Sequence, residues 1–69
     1  MRTIEFEDIQ KFNGNFDAFI VEEEPVDGFV GYSIFIIADG ELYVLGERAQ
    51  FVKEADAIKT ARELNLKIE

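Results

Sequence analysis

The dipeptide Asp39-Gly40, set between two β-rich runs, restricts this chain more than any other feature. A two-residue hairpin turn of the I′ kind needs positive φ at both central positions. Gly takes that conformation freely and Asp tolerates it. The run Phe29–Ala38 precedes the turn and residues 41–47 follow it. With the turn in place, Ala38 faces Glu41, Ile37 faces Leu42, Ile36 faces Tyr43 and Phe35 faces Val44, then Ile34 faces Leu45 and Ser33 faces Gly46. Alternation sorts these side chains into two sets. One face carries Phe29, Gly31, Ser33, Phe35, Ile37, Leu42 and Val44, with Gly46 beyond. The other carries Val30, Tyr32, Ile34, Ile36, Ala38, Tyr43 and Leu45, with Glu41 and Glu47 at its rim. Both faces are apolar, so the ribbon needs cover on two sides or keeps an exposed apolar surface.

Other elements gather around this hairpin. Residues 16–22 alternate as a strand, and residues 2–7 read as a first one through Ile4 and Phe6. The stretch Glu23-Glu24-Pro25-Val26-Asp27-Gly28 reads as the loop joining the second strand to the third, because Pro25 cannot donate to a ladder. Asn13-Gly14-Asn15 reads as a turn, with Ile9 and Phe12 tucked beneath the sheet; residues 8–12 fit a strand or a short helical turn equally well. A helix is expected over residues 54–64, where Ala57, Ile58, Ala61 and Leu64 form one stripe. It lacks a Ser, Thr, Asp or Asn N-cap, and Asn65 suits its end. Leu66 to Ile68 return as a short edge strand or simply pack. The expectation is a single α+β domain over residues 1–69: an antiparallel meander of three to four strands with one C-terminal helix packed on one face, in the order β-β-β-β-α.

The small residues Gly31, Ser33 and Gly46 share the Phe35 face, and they would let Ala57 and Ala61 approach closely. That assigns the helix to the Phe35 and Val44 side. A helix of about three turns spans roughly 16 Å and covers one side only. Tyr32, Ile34, Ile36, Tyr43 and Leu45 are then expected to stand open as a partner-binding face, either a homodimer seam or a dock for another protein, the alternative being that residues 1–15, with Ile9 and Phe12, fold over it.

Composition narrows the chemistry. The chain has 69 residues and contains no His, Cys or Trp. That removes imidazole bases, thiolate nucleophiles, disulfides and the usual zinc ligand sets. Ser33 is the sole serine and sits mid-strand, so no Ser-His-Asp triad can form. Glycine-rich phosphate loops are missing as well. The expectations are therefore no catalytic residues, no metal, no cofactor and no enzymatic activity. The longest apolar runs fall far short of the ~20 residues that cross a bilayer. The amino terminus carries acids where a signal peptide would be apolar, so a cytoplasmic protein off the membrane is expected.

The formal net charge is −8, from fifteen carboxylates against seven bases. Eight of those carboxylates lie in the first thirty residues: Glu5, Glu7, Asp8, Asp17, Glu22, Glu23, Glu24 and Asp27. Phosphate contacts dominate nucleic-acid affinity, so direct nucleic-acid binding is disfavoured. A protein with a basic surface is the favoured partner, met by Glu22, Glu23, Glu24 and Asp27. Tyr32 and Tyr43 lack interleaved Lys or Arg, which argues against base stacking. The stretch Phe51-Val52-Lys53-Glu54-Ala55-Asp56-Ala57 and onward to Leu64 resembles the closing helix of many short strand-strand-helix bacterial and phage domains. In character the acidic, cysteine-free chain is also similar to phage-encoded inhibitors of host defence, some of which imitate DNA charge. Two functions follow as expectations. The leading one is a small acidic non-enzymatic interaction domain acting through a sheet face or acidic rim. The alternative is a phage or mobile-element inhibitor that mimics nucleic-acid charge and blocks a basic nucleic-acid-binding host protein.

Overall fold

The computed structural model describes residues 2–11 and 16–68. Its elements run β1 (Arg2–Ile4), α1 (Phe6–Lys11), β2 (Asp17–Val26), β3 (Phe29–Ala38), β4 (Glu41–Leu45), α2 (Glu54–Glu63) and β5 (Lys67–Ile68). One five-stranded sheet holds all the strands in the order β1-β4-β3-β2-β5. The fold is α+β, as expected, with the C-terminal helix in place. The sheet is mixed rather than a pure antiparallel meander, however, and there are two helices among the described residues. β1 pairs with β4 in parallel, and β5 pairs with β2 in parallel. The reason lies in the connections. Each parallel partner is reached by way of a helix, whereas a tight turn can join antiparallel strands only. The expected Asn13-Gly14-Asn15 turn and the packing of Phe12 lie outside the described residues.

The central hairpin forms in the register its turn dictates. Asp39 has φ 52° and Gly40 φ 78°, and the pairs run from Ala38 with Glu41 to Phe35 with Val44. β2 pairs with β3 from Asp17 opposite Ile37 to Glu23 opposite Gly31, and the register shifts before Val26 meets Phe29. Pro25 sits inside that irregularity, where a missing N–H costs no ladder bond. The strand therefore runs further than the expected residues 16–22, and the loop contracts to Asp27 and Gly28.

α2 starts without a side-chain cap at Lys53, as its sequence foretold, but acidic Glu54 and Asp56 in its first turn complement the helix dipole. Its end is a Schellman motif. Asn65 adopts φ 60°, its N–H donates to the Arg62 carbonyl at 3.0 Å, and the Leu66 N–H donates to the Ala61 carbonyl at 3.0 Å. Leu66 is thereby turned into the core just before β5 begins.

The helices lie on the opposite face from the one expected. Ala57 and Ala61 pack with Ile34, Ile36 and Leu45, all five fully enclosed, and Ile4, Ile9, Ala18 and Leu66 complete the cluster. Gly31 and Ser33 serve a different purpose. The segment after β4 arches over them, and a Cβ built on Gly31 would stand 2.5 Å from the Ala49 carbonyl oxygen and 2.9 Å from its Cβ. The chain then drops back so that Phe51 bridges Tyr32, with N–H to O distances of 2.7 and 3.2 Å. The small residues make room for a loop, and the helix takes the other side.

Replacing Gly31 with Ala is therefore expected to push the loop off the sheet and to destabilise the fold by about 1–3 kcal/mol, the usual cost of overpacking. Urea unfolding of the two proteins checks this; equal midpoints would refute the close approach.

Candidate interaction surfaces

The residues expected to form an open docking face are the ones the fold encloses. Ile34, Ile36 and Leu45 are buried beneath the helices, so they do not form a free surface. Tyr32 and Tyr43 are half-buried and pack against the same cluster with their rings. Only their hydroxyls reach the rim: Tyr32 Oη donates to Glu22 at 3.2 Å, and Tyr43 Oη donates to Glu41 at 3.1 Å. Glu41 also takes Arg2 Nη1 at 2.9 Å. The difference has one cause: α2 packs on the Ile34 and Ile36 side of the ribbon, and the loop after β4 seats on Gly31 and Ser33 of the other.

The helix-free face is built by the alternate residues of the same strands. Ile37 and Leu42 stand opposite each other and are 42% and 40% exposed. Beside them the rings of Phe19 and Phe35 lie stacked, with centroids 5.6 Å apart and planes within 16°. Val21 continues the apolar row on β2, while Phe35 and Val44 are buried among their neighbours. Strand alternation already grouped Phe35, Ile37, Leu42 and Val44; Phe19 and Val21 join through the pairing of β2 with β3.

At the far end of β2 lie the four acids of the sequence reading. Glu22, Glu24 and Asp27 are exposed, and Glu23 is partly buried. Glu24 accepts the Gly28 N–H at 3.2 Å, closing the turn. Glu23 accepts the hydroxyl of Ser33 and two guanidinium donors of Arg48, Nε at 3.3 Å and Nη2. Ser33 is fully buried and in turn accepts the Ala49 N–H at 2.7 Å. The Arg48 hydrogen bonds, and then the one from Ser33, hold the Glu23 carboxyl below the usual carboxylate range. Arg48 did not stand out in the sequence; its closeness to Glu23 arises only when the loop folds over β3. Val21, Glu22, Glu23, Glu24, Pro25 and Arg48 together line a shallow hollow of roughly 510 Å3.

The other acids of the first half are placed elsewhere. Glu5 follows β1, and Glu7 and Asp8 lie in the first turn of α1. Among the described residues, no three His, Cys, Asp or Glu side chains are grouped to hold a metal ion, and no helix is long and apolar enough to cross a membrane. No family model, no curated protein and no solved structure matches the chain.

Because Glu23 titrates lower in the folded chain than its ordinary value of about 4.5, its contribution to stability is complete above that pH and fades as pH falls below it. The variant Glu23→Gln is expected to lose less stability than the parent between neutral and acid pH. Denaturant midpoints measured across that range check it, and parallel curves would disprove it.

Proposed function

We propose that this chain is a small, acidic, non-enzymatic protein-interaction domain whose helix-free sheet face docks onto another protein. One observation carries the reading: Ile37 and Leu42 form an exposed apolar step beside the Phe19 and Phe35 rings, on the side of the sheet away from the α2 core. Contiguous apolar surface of this kind is characteristic of interaction sites. The non-enzymatic part of the reading rests on a chain that lacks imidazole and thiol.

The alternative, a mimic of nucleic-acid charge that blocks a basic host protein, has less support. Arg48 occupies Glu23 and Arg2 occupies Glu41. The acids of the first half come from separate elements, Glu5 after β1, Glu7 and Asp8 in α1 and the rest on or beside β2. Two of the carboxylates being matched within the fold weakens the case for a continuous negative strip.

The double variant Ile37→Lys, Leu42→Lys leaves the helix-covered core intact and is expected to keep the parent's circular dichroism. Its complex, recovered with tagged protein from native extract, should weaken on the order of 30-fold or more, the scale of a hot-spot loss. The parent complex should survive about 0.5 M salt, where charge attraction is screened within a few ångströms. A complex that tolerates the double variant but dissolves in salt would overturn the reading in favour of charge mimicry. Sedimentation of the parent alone separates a second copy from a foreign partner.

A further inference from the structure

We infer that the outer edge of β2, over residues 20–24, takes up an extended basic peptide as an added antiparallel strand. Among the described residues the edge is open, since β5 pairs with β2 at Asp17 and Ala18 and no further. Among the described residues no strand lies beside the rest of β2 on that side.

The direction of the backbone groups follows from bonds already described. The Phe16 carbonyl accepts the Lys67 N–H at 2.8 Å, so even-numbered residues of β2 turn their peptide groups outward. On β3 the even-numbered Tyr32 bonds to Phe51, away from β2, which leaves the odd-numbered residues of both strands to join β2 to β3. Ile20 and Glu22 therefore each hold out one N–H donor and one C=O acceptor with no strand to receive them among the described residues. Such a row is the template for strand addition.

The side chains along this edge specify the occupant. Glu22 and Glu24 are exposed, and each has acceptor capacity beyond the single hydrogen bond it makes in the fold. Phe19 and Val21 are apolar and face the other way. The hollow lined by Val21, Glu23, Pro25 and Arg48 lies on this same edge and gives room for an incoming side chain. A segment with Lys or Arg at alternate positions and an apolar residue between them satisfies both sides at once. A second copy of this chain does not, since pairing β2 with β2 would set carboxylate against carboxylate. The inference goes beyond the docking face, because it uses peptide groups at the sheet edge and holds whether or not Ile37 and Leu42 meet a partner.

The probe is acetyl-Lys-Val-Lys-Val-Lys-amide, titrated into the isotope-labelled protein with amide NMR as readout. The amides of Ile20 and Glu22 should shift and gain exchange protection, with Ile37 and Leu42 unmoved. In antiparallel pairing the residues opposite Ile20 and Glu22 share their face, so the lysine N–H groups point at the edge. N-methylation of the lysines should weaken binding at least about tenfold, whereas N-methylation of the valines, at identical charge, should not. The variant Glu22→Pro deletes one outward N–H without touching the β3 ladder and should weaken binding comparably. If that variant fails to fold, the methylated peptides decide on the parent protein. Equal binding by both methylated peptides, shifts confined to Ile37 and Leu42, or no binding at millimolar peptide would each overturn the inference.

Discussion

The buried hydroxyl of Ser33 is the interaction on which the arrangement depends. It donates to Glu23 on β2 and accepts the N–H of Ala49 from the loop after β4. A hydroxyl enclosed without partners would cost a few kcal/mol, whereas one satisfied on both sides ties three segments together. Ala49 is held in the left-handed region at φ 54°, a conformation that costs an alanine something and that the surrounding contacts must offset. With that loop seated on Gly31 and Ser33, the helix has only the other side of the sheet. Ile34, Ile36 and Leu45 then meet Ala57 and Ala61, and the core follows.

How much of this was legible depends on whether a feature is local. The Asp39-Gly40 turn sets its own register, because turn type and strand pairing are coupled within a few residues. The two faces of the ribbon followed by counting. Helix α2 was visible from its stripe, and its end from Asn65. The side on which the helix packs was not visible, since Gly31 and Ser33 permit close approach by anything, and a loop satisfies that as well as a helix. Nor could β1 and β5 be placed. Their three and two residues carry no pattern that distinguishes a parallel edge from an antiparallel one. The error in the docking face descends from the first of these ambiguities. Alternation puts Tyr32, Ile34, Ile36, Tyr43 and Leu45 on one face, but it does not say whether helix or solvent meets that face.

Charge is spent unevenly in the folded chain. Glu23 and Glu41 are matched to Arg48 and Arg2 across long sequence separations, and these pairs pin a loop to β2 and the first strand to β4. Exposed pairs of this kind contribute little stability individually, but the Glu23 pair is reinforced by a buried hydroxyl, which sets it apart from the others. Among the described residues Glu22, Glu24 and Asp27 have no ion-pair partner, and all three are exposed. The same short stretch thus holds one carboxylate that serves architecture and three that face solvent.

The two edges of the sheet are unequal. β1 precedes α1 and β5 follows α2, and each pairs in parallel with a strand far from it in the sequence. Among the described residues β1 spans Arg2–Ile4 against the five residues of β4, whereas β5 meets the first two residues of the ten in β2. A long, flat, unpaired edge invites association between copies, and acids together with a proline are the common means of discouraging it. Glu22, Glu24 and Pro25 meet that description. Devices that repel an identical acidic edge do not repel a basic one, so the features that keep this chain from pairing with itself also define the kind of strand its edge can accept.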